Sequence, residues 1–203
     1  MGQLTWDAPT GLIAVVRAAS AAEALTIGRG LAAAGVLTIE ITLTVPDAAD
    51  VIRAICLDVR VGAGTVLDSR EVERLIDAGA SFIVSPVLDE GVLAAAARCA
   101  IPAIPGALTP NEILQAHRAG AAAVKVFPIG SVGGVAYIRS INEPFTDIPL
   151  VVSGGIQIAD VSAYLAAGCR AVCLGGALID RAAAKAGDIG TVTAYARAIL
   201  ATS

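Results

Sequence analysis

Histidine is nearly missing from this chain: His117 is the only one in 203 residues. A catalytic zinc or other divalent ion needs several clustered ligands, and neither one helical histidine nor any grouping of carboxylates offers them. Activity is therefore expected to survive excess chelator. Aromatic residues are scarce too, with Trp6, three Tyr and three Phe. That is too few for a base-stacking platform, and a net charge of −4 leaves no basic footprint, so nucleic acid is not an expected partner. Apolar runs are many but short. None reaches the length of a bilayer span, and the start "MGQLTWDAPT" has neither a charged n-region nor an h-region, so no membrane role and a cytoplasmic location are expected. Cys56, Cys99, Cys169 and Cys173 sit in apolar segments without metal-ligand spacing and are read as reduced packing residues.

Apolar content is what the chain has in excess. Hydrophobic residues make up 56% and charged residues 16%, so several elements must be buried on more than one side, or some faces must meet a partner subunit. The length suits one sizeable core, and residues 1–203 are read as a single domain. Within it a unit repeats. "LAAAGVLTIEITL", "LIDAGASFIVSP", "AHRAGAAAVKVFP" and "YLAAGCRAVCLGG" each run from an alanine-rich helical end through a glycine into a β-branched segment. Gly35, Gly79, Gly120 and Gly168 are expected just past helix C-termini, where a left-handed backbone suits glycine. Four further strands are read at 11–17, 59–66, 101–108 and 149–155, with helix starts such as Ser20 to Glu23 and Asp68 to Glu71 following. Eight apolar strands alternating with helices predict a (β/α)8 TIM barrel, with a short helix ahead of strand 1; an open doubly wound sheet is the alternative.

Chemistry in such barrels collects at the C-terminal ends of the strands. Polar residues interrupt the apolar pattern there at Arg17, Glu40, Thr42, Thr44, Thr65, Ser85, Lys125 and Ser153. Parity sharpens the set. Val124 and Val126 share one face of the sixth strand, leaving Lys125 and Phe127 on the other; Ile39, Ile41 and Leu43 likewise leave Glu40 and Thr42 opposite. With helices outside, Lys125 and Glu40 must point into the barrel. An unpaired buried charge costs several kcal/mol, so the two are expected together, either as a structural ion pair or as a working pair. A poorly solvated amine loses its proton more easily and can attack a ketone to form a Schiff base, while a carboxylate in the same cavity can shuttle protons. "VVSGGIQIAD" and "VCLGGALID" place glycine pairs where the seventh and eighth strands turn toward helices, an arrangement suited to an anion such as phosphate.

Together, "GVLTIEITL", "VGAGTVLD", "FIVSPVLDE", "IPAIPGALTPNEI", "VKVFPIGSVGGVAYIRSINEPF", "VVSGGI" and "CLGGALI" resemble the class I 2-keto-3-deoxy-6-phosphogluconate (KDPG) aldolase family, including its 4-hydroxy-2-oxoglutarate (KHG) and 6-phosphogalactonate members. The resemblance runs from Gly11 to about Gly190. It implies a lyase that reversibly splits a 2-keto-3-deoxy sugar acid into pyruvate and an aldehyde such as glyceraldehyde 3-phosphate. It also implies Lys125 as the Schiff-base lysine and Glu40 as general acid/base, with Thr65 and Pro86 lining the pyruvyl pocket beside Phe127 and Ser153. Arg17 would bind an anionic group, and Gly154, Gly155, Gly175 and Gly176 would meet the phosphate through backbone. Members are typically homotrimers needing no metal or other cofactor.

Two departures bear on the substrate. Phosphogluconate enzymes of this kind often carry an arginine four residues after the glutamate, which helps hold the 2-keto-acid carboxylate; here Thr44 stands there, and Arg17 is expected to take over that contact. The "EIxLxxP" pattern from Glu40 to Pro46 is similar to the galactonate branch, which also lacks that arginine. Ala177 stands where serine is common, removing a hydrogen bond to a charged oxygen worth roughly 1.5–3 kcal/mol. Either phosphate binding is weaker or the substrate lacks a phosphate. Specificity for the phosphogluconate, the phosphogalactonate or 4-hydroxy-2-oxoglutarate stays open on sequence alone, as does a catalytically silent phosphate-binding barrel or assembly subunit.

Overall fold

The computed structural model describes residues 8–202; the helix expected ahead of strand 1 falls outside them. The strands are β1 (Gly11–Val16), β2 (Thr38–Thr42), β3 (Arg60–Gly64), β4 (Ile83–Val84), β5 (Ala103–Ile104), β6 (Gly106–Ala107), β7 (Val124–Val126), β8 (Leu150–Ser153) and β9 (Ala171–Leu174). The helices are α1 (Ala21–Ala33), α2 (Ala48–Ile55), α3 (Arg70–Asp77), α4 (Glu90–Arg98), α5 (Pro110–Arg118), α6 (Val135–Asn142), α7 (Val161–Ala166), α8 (Arg181–Ala186) and α9 (Ile189–Leu200). All the ladders are parallel, and the sheet runs β5-β4-β3-β2-β1-β9-β8-β7-β6. Its two edges, β5 and β6, are separated only by Pro105. They are halves of one strand, so the sheet closes into a barrel of eight β/α units. Proline cannot donate to a ladder; its carbonyl still accepts from Lys125 N–H at 2.8 Å.

Helix ends follow the repeat. Gly35, Gly79, Gly120 and Gly168 have φ of 96°, 104°, 95° and 94°. At each, the next residue's N–H reaches back five positions, as in Val36 to Leu31 and Ala80 to Leu75, which satisfies helix-end carbonyls before the chain enters a strand. The same closure ends α4, where Ile101 donates to Ala96, yet the left-handed position is Ala100, at φ 56°. The expected starts differ in detail. Ser20 caps α1 by accepting from Glu23 N–H, and the Glu23 carboxylate returns to Ala19 N–H. At α3 the Asp68 carboxylate accepts from Arg70 N–H instead, and the helix begins at Arg70. On α5, Thr109 and Glu112 form a reciprocal capping box whose N–H donors hold the Glu112 carboxyl below the usual range.

Two apolar layers result. Outward strand residues such as Ile39, Ile41, Val124 and Val126 pack with the helices, while Ile13, Phe82, Ile104, Val151 and Ala171 fill the barrel. Gly62 makes room for the second layer: a Cβ there would meet the Phe82 ring at 2.3 Å. At the N-terminal end, Arg170 donates to the Ala8 carbonyl and Arg60 lies over Phe82, sealing that mouth. The last helix, α9, closes the outer ring on α1, where Gly30 admits Val192. Among the described residues no helix is long and apolar enough to cross a membrane. Cys56, Cys99, Cys169 and Cys173 are free thiols, the last two buried.

Candidate active site

Lys125 and Glu40 come from opposite walls. Between β2 and β7 lie three strand positions in either direction around the barrel, so two long inward side chains on them meet over the lumen. Lys125 Nζ stands 3.6 Å from Glu40 Oε2, and the side chains are 7% and 0% exposed. Among the described residues neither carboxylate oxygen of Glu40 has a hydrogen-bond partner. A buried carboxylate left with only an ammonium nearby is costly to stability, and its lone pairs stay available to a proton in transit. The neighbouring strand supplies the space: Gly64 points inward beside Glu40, and a Cβ there would lie 2.0 Å from Oε1.

Above this pair opens a cavity of about 380 Å³ at the C-terminal end of the strands. Its wall includes Arg17, Thr65, Pro86, Lys125, Phe127, Ser153, Gly154, Gly155, Gly175 and Gly176, which the sequence marked. Glu40 lies beneath the floor. Thr44 is exposed and does not line the cavity; the Thr42 hydroxyl donates to the Val16 carbonyl and is 2.8 Å from the Thr44 hydroxyl. Several of the marked residues sit one step past their strands. Thr65 follows β3 at φ 59°, a strained position for a β-branched residue and one typical of functional sites. Gly154 and Gly155, at φ 90° and 75°, follow β8; a Cβ on Gly154 would touch Phe127 and Pro128 at 3.0 Å.

The cavity wall also carries Val15, Ile156, Gln157, Cys173 and Ala177, which the sequence reading did not single out as cavity residues with a role in binding or catalysis, apart from the lost hydroxyl at Ala177. Parity on β9 would have found Cys173, since Val172 and Leu174 belong to the outer layer. Burial pushes its thiol up to about 12, with Lys125 opposing and Glu40 reinforcing the shift, so it stays protonated at neutral pH and is no rival nucleophile. The charged residues of the wall are both cationic, Arg17 and Lys125. An anionic ligand suits it.

A family model described as KDPG and KHG aldolase matches residues 8–195. The chain belongs to the KDPG and KHG aldolase family. It is 38% identical over 179 residues to the KHG/KDPG aldolase of Escherichia coli K12, covering 86% of this chain and 84% of that one. Among solved structures, a KDPG aldolase from Legionella pneumophila, with pyruvate captured as a covalent carbinolamine, superposes with a TM-score of 0.84 at 26% identity over 95% of both chains. A native KDPGal structure gives 0.81 at 29% identity, over 97% of this chain and 98% of that one. The barrel expected from the strand repeat is thus the family's fold, and the open-sheet alternative falls with the closed sheet. This aldolase carries no group of three or more His, Cys, Asp or Glu placed to hold a metal among its described residues.

Proposed function

We propose that this aldolase cleaves a 2-keto-3-deoxy sugar acid with an anionic tail, 2-keto-3-deoxy-6-phosphogluconate first, to pyruvate and glyceraldehyde 3-phosphate, through an imine on Lys125. The observation that carries the reading is Lys125 in the cavity wall with Glu40 directly behind it, 3.6 Å away, both shielded from water. The neutral amine adds to the C2 carbonyl to give a carbinolamine. Loss of water, with a proton delivered by Glu40, leaves an iminium. Glu40, now a carboxylate, takes the C4 hydroxyl proton as the C3–C4 bond breaks, and the bond's electrons pass to the iminium as an enamine. Protonation at C3 and hydrolysis release pyruvate and restore the amine. The proton count closes on one carboxyl group and one water.

Thr65, Pro86, Phe127 and Ser153 are proposed to shape the pyruvyl end. Arg17 and the backbone at Gly154, Gly155, Gly175 and Gly176 are proposed to take the anionic end. Residues 1–203 are proposed as one aldolase domain, acting in the cytoplasm as a homotrimer. The trimer is supported by exposed Leu67 (57%) and Val87 (51%), on loops that follow the paired strands β3 and β4 at the cavity end. The test is pyruvate release, coupled to lactate dehydrogenase, from the 6-phosphogluconate derivative, its galactonate epimer and 4-hydroxy-2-oxoglutarate, in excess chelator. Turnover of at least one is expected, with the phosphogluconate derivative showing the highest kcat/KM. Silence on all three would refute the reading.

A further inference from the structure

We infer that Arg181 is a second cation for the anionic tail of the substrate, acting with Arg17 and standing in for the hydroxyl that Ala177 lacks. The inference rests on the aldolase reading above and names how its tail site is built. Arg181 opens α8, shortly after the Gly175–Gly176 turn. Its Nη1 donates to the Arg17 carbonyl at 2.7 Å, and its Nη2 lies 3.6 Å from where a Cβ on Gly176 would stand. The guanidinium therefore bridges the ends of β1 and β9, which are paired neighbours, and touches two residues of the cavity wall.

Nothing acidic answers this charge. Among the described residues neither Arg17 nor Arg181 has a carboxylate within ion-pair distance. The adjacent Asp180 spends its carboxylate on capping α8, accepting from Ala183 N–H at 3.0 Å. Arg181 is held against the Arg17 backbone at the rim, next to a cavity wall that carries no acidic residue and whose charged side chains are Arg17 and Lys125. Arg181 has one N–H committed to Arg17 and others left to donate, and the forked geometry of a guanidinium matches two oxygens of a phosphate monoester. Gly175 and Gly176 carry no side chain that would keep such a group from the backbone. A serine hydroxyl would contribute one neutral donor to this rim; the arginine contributes a charge.

The experiment pairs a turnover-independent binding measurement with kinetics. Glycerol phosphate is titrated calorimetrically into the full chain and into Arg181→Ala and Arg181→Lys, and each protein is also trapped with pyruvate and borohydride. Wild type is expected to bind glycerol phosphate, Arg181→Ala about tenfold or more weakly, and Arg181→Lys in between. Trapping should proceed in all three, which shows an intact imine site. In Arg181→Ala, KM for the phosphorylated substrate should rise in step with the lost binding while kcat stays within about twofold, and KM for unphosphorylated 2-keto-3-deoxygluconate should hold. Equal glycerol phosphate binding in wild type and Arg181→Ala, absence of binding in wild type, or an equal KM rise for both substrates would overturn the inference. The last would mean that Arg181 merely props the Arg17 backbone. Failure of trapping in wild type would instead sink the aldolase reading, and the calorimetry would still report on Arg181.

Discussion

The proton chemistry proposed for Glu40 depends on neighbours that leave it alone. Among the described residues both oxygens lack hydrogen-bond partners, and the one ion-pair partner is the Lys125 ammonium at 3.6 Å. Glu40→Gln keeps the shape and removes the titratable group, so kcat is expected to fall about 10²- to 10⁴-fold; activity within a few-fold of wild type, measured by pyruvate release, would contradict the proposed role. Gly64→Ala tests the same point from outside the pair. Its methyl would arrive 2.0 Å from Oε1 and force the carboxylate aside, so kcat should drop at least about a hundredfold while the variant still folds. Strand parity made the inward aim of Lys125 and Glu40 legible in the sequence. It could not show that they meet, because that depends on β2 and β7 facing each other across a closed sheet. The part played by Gly62 and Gly64 was equally hidden: a glycine on a strand reads as a weakness until the partner that fills its space is known.

Among the elements, α4 keeps the closing turn of the repeat without its glycine. Four helices hand over to strands through a glycine at positive φ, and that glycine is what made the units visible in the sequence. The fifth such turn uses Ala100 at φ 56°, so it left no signal. Alanine in this region costs about 1–2 kcal/mol, partly offset by the greater freedom glycine loses on folding. Ala100→Gly is thus expected to stabilise the protein by roughly 0.5–1 kcal/mol, read as a higher denaturation midpoint at an unchanged denaturant slope. A lower midpoint would show that the Ala100 backbone is not strained in solution. The fifth strand was legible as "IPAIPGAL", but its division at Pro105 into β5 and β6 follows from a missing N–H that matters only once neighbouring strands are in place. Thr65 was marked as a polar strand end, whereas its left-handed backbone just past β3 has no sequence signature.

For the molecule as a whole, the apolar excess noted in the sequence is largely absorbed by the two concentric layers, one under the helices and one inside the barrel. What remains outside includes Leu67 and Val87 beside the cavity mouth. If these form the subunit contact of the proposed trimer, light scattering on the purified chain should give three chain masses, and Val87→Asp should shift the population toward single chains; a monomeric wild type would refute the assembly. The central claim is that the closed barrel holds one lysine as a nucleophile against a keto acid. It is tested most directly by incubating the protein with pyruvate and borohydride and mapping the product by peptide mass spectrometry. A single reduced pyruvyl adduct on Lys125, absent from Lys125→Ala, is the predicted result; an unmodified Lys125, or label on another lysine, would contradict it.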